Sequence, residues 1–207
     1  RMMNTTYNQG WTSVLMHFRD CGNKPNRLLQ SYHSGQTSDL SEFIDHLSQQ
    51  YPNRPMYAIG FSLGGNVLAK YLGESNNSKL AGAVVISAPF ELEGCAETVN
   101  KGFAKIYQKY LVDKLKVSAL IKLGQHSEMV DLSIDEQTIK NIDSLIEFDD
   151  KYTARINGFE SGKDYYEQSS CRQFLEHIQT PTLILHAKDD PFMNQDVIPT
   201  EGELSDY

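Results

Sequence analysis

Ser62 lies between two glycines in the run Gly60-Phe61-Ser62-Leu63-Gly64, where an apolar stretch passes into a helical pattern. That order of residues suits a nucleophile. A strand that turns sharply into a helix strains its apex residue and brings the residues two before and two after it close together. Gly60 and Gly64 are expected to remove the clash and leave the Ser62 hydroxyl exposed at the carboxyl end of the strand. There the helix dipole favours developing negative charge, and the Leu63 backbone N–H points where an oxyanion would form. The competing reading is coincidence, since such a pentapeptide arises by chance in roughly one chain of this size in ten to twenty. The apolar strand before it and the apolar-periodic helix after it set this one apart.

An activated serine needs a base, and the base needs an orienting acid. After the apolar run TPTLILHA, residues 180 to 187, comes Lys188-Asp189-Asp190-Pro191. An acid there lies at the carboxyl end of a parallel strand, the same edge as Ser62. Asp189 and Asp190 both qualify. Asp190 is favoured because it sits deeper in the turn, braced by Pro191. Asp149 and Asp150 form a second pair, read as structural or solvated because they lie in a long segment between strands.

Six histidines are present. His46 and His177 sit on amphipathic helix patterns and read as surface residues. His126 lies in the long inter-strand segment. His17 and His186 end strands near the active edge, and His33 is placed to help shape the site. A structural or supporting role is the reading for each. No pair has zinc-ligand spacing with a third ligand in place, so no metal or other cofactor is expected.

The elements that would position these residues are readable from periodicity. Residues 12 to 18, TSVLMHF, predict a buried strand, and RDCGNKPNR a loop. TSDLSEFIDHLSQQYP predicts a helix capped by Ser38 or Asp39. PMYAIG predicts a strand, GGNVLAKYLGE a helix closed by Gly73, and LAGAVVISAP and TPTLILHA two more strands. Strands apolar on both faces, alternating with helices, predict an α/β fold: a mostly parallel sheet with helices on both sides. Between Glu91 and Leu175 no convincing strand is visible. About 85 residues is far more than a connection of ~2–6. The segment is read as a helical cap, with Phe103, Ile106, Tyr107, Tyr110, Leu111 and Leu115 on one helical face and a capping box at Ser133–Glu136, where Leu132 is placed as a staple. The expected organisation is core at 1–90, cap at 91–175, and core again at 176–207 with the acid-bearing strand.

The totals exclude several classes. The 207 residues are 40% hydrophobic and 22% charged, an ordinary globular balance, with no apolar run near the ~20 residues of a membrane span. A net charge of −8 argues against a general nucleic-acid or anionic-membrane partner. Three scattered cysteines, Cys21, Cys95 and Cys171, read as free thiols in a reducing, cytoplasmic setting. Oligomeric state is not legible.

Taken together, MHFRDCGNKPNRLLQSYHSGQTSDL, GFSLGGNVLAKYLG, SAPFELEGC, GFAKIYQKYL, EFDDKYTARINGF and PTLILHAKDDPFM resemble the YheT-like α/β-hydrolases, a bacterial branch related to plant and animal membrane-lipid and ester hydrolases. The resemblance covers nearly the whole sequence. The pentapeptide is generic to α/β-hydrolases, whereas its combination with RLLQSYHSG and HAKDDPFM is specific. The resemblance implies the α/β-hydrolase fold and hydrolysis of carboxylic esters by a Ser-Asp-His relay, in which Ser62 matches the nucleophile and Asp190 the acid. The family's oxyanion loop, a His-Gly segment after an earlier strand, would lie before Arg1. Its histidine, in a Gly-Gly-His stretch after one further strand, would lie after Tyr207. The second oxyanion donor and the catalytic histidine are therefore expected outside the printed residues, and the natural protein is expected to extend on both sides. Residues 1–207 alone are expected to be poorly soluble and to lack Ser62-dependent esterase activity. Asp20 stands where the family usually has glycine.

The leading expectation is thus a serine hydrolase acting on a small-molecule carboxylic ester through an acyl-enzyme. Acyl transfer or thioester cleavage could use the same residues. A non-catalytic module of the same fold, holding an apolar ligand without turnover, is the alternative from another class. The aromatic residues Phe103, Tyr107, Tyr110, Tyr152, Phe159, Tyr165 and Tyr166 could line an apolar pocket over Ser62 or simply join cap to sheet.

Overall fold

The computed structural model describes residues 1–207 except 23 and 25, together with all side chains but those of 127, 128, 130 and 195. The loop expected at residues 19–27 therefore falls partly outside the described residues. The helices are α1 (Met2–Asn8), α2 (Thr37–Gln50), α3 (Leu63–Glu74), α4 (Leu92–Val99), α5 (Ala104–Leu123), α6 (Glu136–Lys140), α7 (Leu145–Phe148), α8 (Ala154–Asn157) and α9 (Gly162–Ser169). The strands are β1 (Tyr57–Phe61), β2 (Gly82–Ile86) and β3 (Thr182–Leu185). They form a parallel sheet in the order β1-β2-β3, with Gly60 level with Val85 and Val85 level with Ile184. Among the described residues no helix is long and apolar enough to cross a membrane.

The core follows from the pleat. Gly60, Ala83 and Val85 are buried, and Ala83 and Val85 share one core cluster with Leu68 and Leu72 of α3, Ile44 of α2 and Leu175. The alternate positions, Tyr57, Ile59, Phe61, Leu183 and Leu185, are exposed. Gly73 does not close α3, which runs on to Glu74. Its place is explained by packing instead, because a Cβ there would lie 2.6 Å from the Phe174 Cβ.

Residues 12 to 18 form no strand, and Val14 and Leu15 are exposed. A strand exists only through its ladder bonds, and no described segment pairs with this one. A groove of about 810 Å³ separates it from β1 and α2. Two expected caps also differ. The N-cap of α2 is Gln36, and Asp39 instead accepts two hydrogen bonds from Arg19, the one from Nε at 2.7 Å. Asp135, not Ser133, caps α6, accepting from Thr138 N at 2.6 Å.

From Glu91 to Leu175 the described residues form helices and no strand. Much of this segment packs on itself: Val112, Ala119, Met129, Ile134, Ile139, Ile142, Phe148 and Ile156 form one buried cluster. The face expected on α5 is split. Leu111 and Leu115 are partly buried, whereas Phe103, Ile106 and Tyr110 face solvent. Asp20 adopts φ 63°, the left-handed region that favours glycine. It is held there by Lys122 of α5, whose Nζ lies 3.2 Å from its carboxylate.

Candidate functional site

Ser62 occupies the turn between β1 and α3 with φ 49° and ψ −123°, a strained conformation for a residue with a Cβ. The turn is pinned on both sides. The Ser62 N–H donates to Ile86 O at 2.9 Å, and its carbonyl accepts from Gly65 N at 2.9 Å and Asn66 N at 3.1 Å. The side chain is exposed at the carboxyl edge of the sheet. Leu63 opens α3, so its N–H has no intrahelical acceptor.

The two glycines differ in role. A Cβ on Gly60 would fall inside van der Waals contact of the Gly64 carbonyl oxygen and 2.8 Å from the Gly65 Cα. A Cβ on Gly64 would meet nothing within 4 Å. The close approach therefore requires glycine at position 60 alone, and the expectation for Gly64 is corrected. The strand crosses the helix backbone on the Gly60 side, while position 64 faces the groove beside β1.

Asp190 and Ser62 line the same cavity, of about 500 Å³, and Asp189 does not. Asp189 is exposed, whereas Asp190 is half-buried and its Oδ1 accepts from Phe192 N at 2.9 Å. One carboxylate oxygen thus locks the turn and the other stays available. Pro191 follows directly.

His33 is the one histidine in this cavity wall among the described residues. Burial lowers it to about 4, its Nδ1 accepts from Gly35 N at 3.2 Å, and its ring stands edge-on to Phe159 and Tyr165. A base so weak and so wedged is poorly suited to take a proton from serine at neutral pH. His186 packs on Phe90, 6.0 Å between ring centroids, and is not in the wall; its ring nitrogens are buried without a partner among the described residues.

One site residue and one structural clamp escaped the sequence. Asp149 lines the cavity and is buried, and its oxygens accept from Thr153 Oγ1 and Tyr166 Oη, each at 2.8 Å. Burial pushes its carboxyl up to about 6. Its neighbour Asp150 accepts from Gly162 N at 2.8 Å and only braces the start of α9. The turn from Asp149 to Thr153 has π-helical hydrogen bonding, and Thr153, four residues on, is the ordinary helical neighbour of Asp149; the Tyr166 contact comes from α9 and is not local. Asn66 is the second. Its amide donates to Ser34 O and Ser169 O at 2.8 Å and accepts from Cys171 N at 3.0 Å, tying two distant segments, at 34 and at 169–171, to the first turn of α3.

Of the aromatic set, Tyr107, Tyr165 and Tyr166 line the cavity, joined by Phe148. Phe103 and Tyr110 face solvent, and Tyr152 and Phe159 pack within the cap. The remaining wall is mostly apolar, with Leu92, Val99, Leu111 and Leu145 beside Ser34 and Ser87. Cys21 is exposed, and Cys95 and Cys171 are buried and free; burial raises Cys95, which lines the cavity, to about 12, so its thiol is no nucleophile.

A parallel sheet, a serine strained at the strand–helix turn and an acid past a later strand define an α/β-hydrolase framework. The α/β hydrolase fold family matches residues 1–204, and the chain belongs to that family. Within it the likeness is to the YheT branch: 44% identity to "Putative esterase YheT" of Escherichia coli (strain K12), over 95% of this chain and 57% of that protein. "Embryogenesis-associated protein EMB8" of Picea glauca is 33% identical over 93% of this chain and 42% of its own length. "Monoacylglycerol lipase" of Saccharomyces cerevisiae (strain ATCC 204508 / S288c) is 31% identical over 80% and 38%. The chain thus spans about half the length of these relatives. No solved structure matches it.

Proposed function

We propose that this chain carries the nucleophile and the orienting acid of a serine hydrolase that cleaves carboxylic esters. The observation that carries the reading is Ser62 at positive φ, facing a cavity it shares with Asp190. The names of two of the relatives, esterase and lipase, point the same way. In this reading the Ser62 Oγ attacks the ester carbonyl while a histidine takes its proton. The oxyanion rests on the Leu63 N–H, the histidine returns the proton to the departing alkoxide, and water releases the acyl group. Asp190 fixes the tautomer of that histidine through its second carboxylate oxygen. The histidine and the second oxyanion donor come from the part of the whole protein beyond these 207 residues, a reading supported by the relatives' greater length and by the unsuitability of His33. The apolar wall at Leu111, Leu145 and Phe148 takes the acyl chain.

The test uses the whole protein. A fluorophosphonate should label Ser62, and Ser62→Ala should abolish both labelling and cleavage of p-nitrophenyl esters, a loss on the order of 10⁶-fold when a triad nucleophile is removed. Wild-type turnover in Ser62→Ala would overturn the proposal. Absence of labelling in a folded wild type would favour the non-catalytic binding module.

A further inference from the structure

Helix α5 has a mixed inner face. It turns Gln108 and Lys122 inward, 1% and 3% exposed. Gln108 bonds to Asn100 Oδ1 at 2.9 Å and Leu145 N at 3.2 Å, and Lys122 donates to Leu28 O at 2.8 Å. Outward it turns Ile106, Tyr110, Val117 and Ile121, between 56% and 72% exposed, preceded by Phe103 at 93%. Positions 103, 106, 110, 117 and 121 recur at intervals of three, four and seven, a stripe along about 30 Å of helix that the exposed Asp113 and Lys114 interrupt at its middle. A helix apolar on two faces has two partners. The inner partner is the cap cluster around Val112 and Ala119.

Charge identifies the outer one. The chain carries a net −8, but α5 has five lysines and one acid, Asp113; with Lys122 buried against Asp20 and Lys116 turned to the Lys140 and Ile142 carbonyls, Lys105, Lys109 and Lys114 remain outward, a surplus of +2 over Asp113. Lys105, Lys109 and Lys114 are exposed, Lys109 pairs with Asp113 at 3.3 Å, and Lys114 Nζ sits 5.7 Å from the Tyr110 ring centroid. Aliphatic and aromatic side chains framed by ammonium groups are the composition of an interfacial helix: apolar groups enter the acyl boundary and lysines meet the phosphates. The other bare apolar surface, the sheet face at Tyr57, Ile59, Phe61, Leu183 and Leu185, has no charged residue in its strands and lacks that frame. Tyr107, Leu111 and Leu115 of the same helix line the Ser62 cavity.

We infer that the outer face of α5 docks on an anionic lipid surface, which places the cavity wall where an apolar ester partitions. The docking stands on the helix alone; delivery of substrate rests on the esterase reading. The overall negative charge does not oppose it, since the attraction is local within a Debye length.

The test is sedimentation of the whole protein with vesicles of phosphatidylglycerol and phosphatidylcholine in equal parts, and of phosphatidylcholine alone. Binding is expected to the first and to weaken with salt. Ile106→Glu with Val117→Glu should abolish it, and Lys105→Ala, Lys109→Ala and Lys114→Ala should each weaken it about fivefold. All five positions lie outside the cavity, so fluorophosphonate labelling of Ser62 should not change. Labelling that fails while vesicle binding persists would sink the esterase reading and leave docking intact. Failure of the wild type to bind anionic vesicles, or binding that survives Ile106→Glu with Val117→Glu, would overturn the inference. So would a vesicle-free dimer dissolved by those substitutions, or strong hydrogen-exchange protection of the stripe in the free protein. Those outcomes would assign the face to a second copy or to the protein's own remaining chain.

Discussion

The phenol of Tyr166 donates a 2.8 Å hydrogen bond to the carboxylate of Asp149 in the wall of the cavity that Ser62 faces. Thr153 occupies the other oxygen, and a carboxylate retains about two further acceptor sites. The helical segment between β2 and β3 thus places one buried acid in a wall that also holds Ser62 and the half-buried Asp190.

That acid should be visible in stability against pH. Burial raises its folded-state value from 3.8 to about 6, so between these values the native state binds the proton more tightly than the unfolded chain. Its support for folding is complete below the lower value and is lost as pH rises through the upper one. Glu203 acts in the opposite sense, since hydrogen bonds from Arg172 hold it at about 2. Comparing wild type with Asp149→Asn removes such background. The stability difference, wild type minus variant, should fall by roughly 2–3 kcal/mol between pH 4 and pH 7 in urea titrations. A difference independent of pH would show that Asp149 titrates normally.

The glycines flanking Ser62 should respond unequally. Gly60→Ala drives a methyl into the Gly64 carbonyl and should destabilise by about 2 kcal/mol or more, with loss of Ser62 labelling. Gly64→Ala meets open space on a helix and should be neutral or gain about 0.5–1 kcal/mol. Thermal melts of both variants decide the matter, and equal losses would contradict the geometry.

The adjacent acids separate in the same way. Asp190→Asn should lower ester turnover by ~10⁴, the cost of a misdirected base in a serine relay, while Asp189→Asn should cost less than about tenfold. Steady-state kinetics on the whole protein would expose a reversed order.

Asn66 should prove a structural clamp. Asn66→Ala leaves two carbonyls and one N–H without their partner in a buried place, a loss of roughly 3 kcal/mol or more. Asn66→Asp restores one acceptor only and should rescue little. Denaturant midpoints near wild type in both would place the clamp elsewhere.

Tyr107 and Tyr110 lie on one helix but should read out differently. Tyr107→Ala opens the cavity beside Phe192, whose ring centroid is 4.6 Å away, and should move the preferred acyl length. Tyr110→Ala, outside the cavity, should leave that profile unchanged in a p-nitrophenyl ester series.

Much of this protein is local and therefore legible in its sequence. The turn at Ser62, the apolar strands on either side of it, the helical segment from 91 to 175 and the acids after β3 each rest on neighbours within a few residues. Propensity, periodicity and turn chemistry report such relationships directly. Residues 12 to 18 show the limit: their β-branched apolar pattern permits a strand, but a strand also needs a partner ladder. Other features were decided by chain segments far apart in sequence. Asp149 became a cavity residue because the packing of α9 carried Tyr166 to it. Asn66 became a clamp because residues 32, 103 and 105 positions away supply its partners. Gly64 lost its expected steric role because the crossing of β1 and α3 falls on the Gly60 side. The outward stripe of α5 is periodic in sequence as any core stripe is, and only packing could assign it to solvent. Periodicity records that a face is apolar, whereas which face is covered depends on contacts between segments that no local pattern encodes.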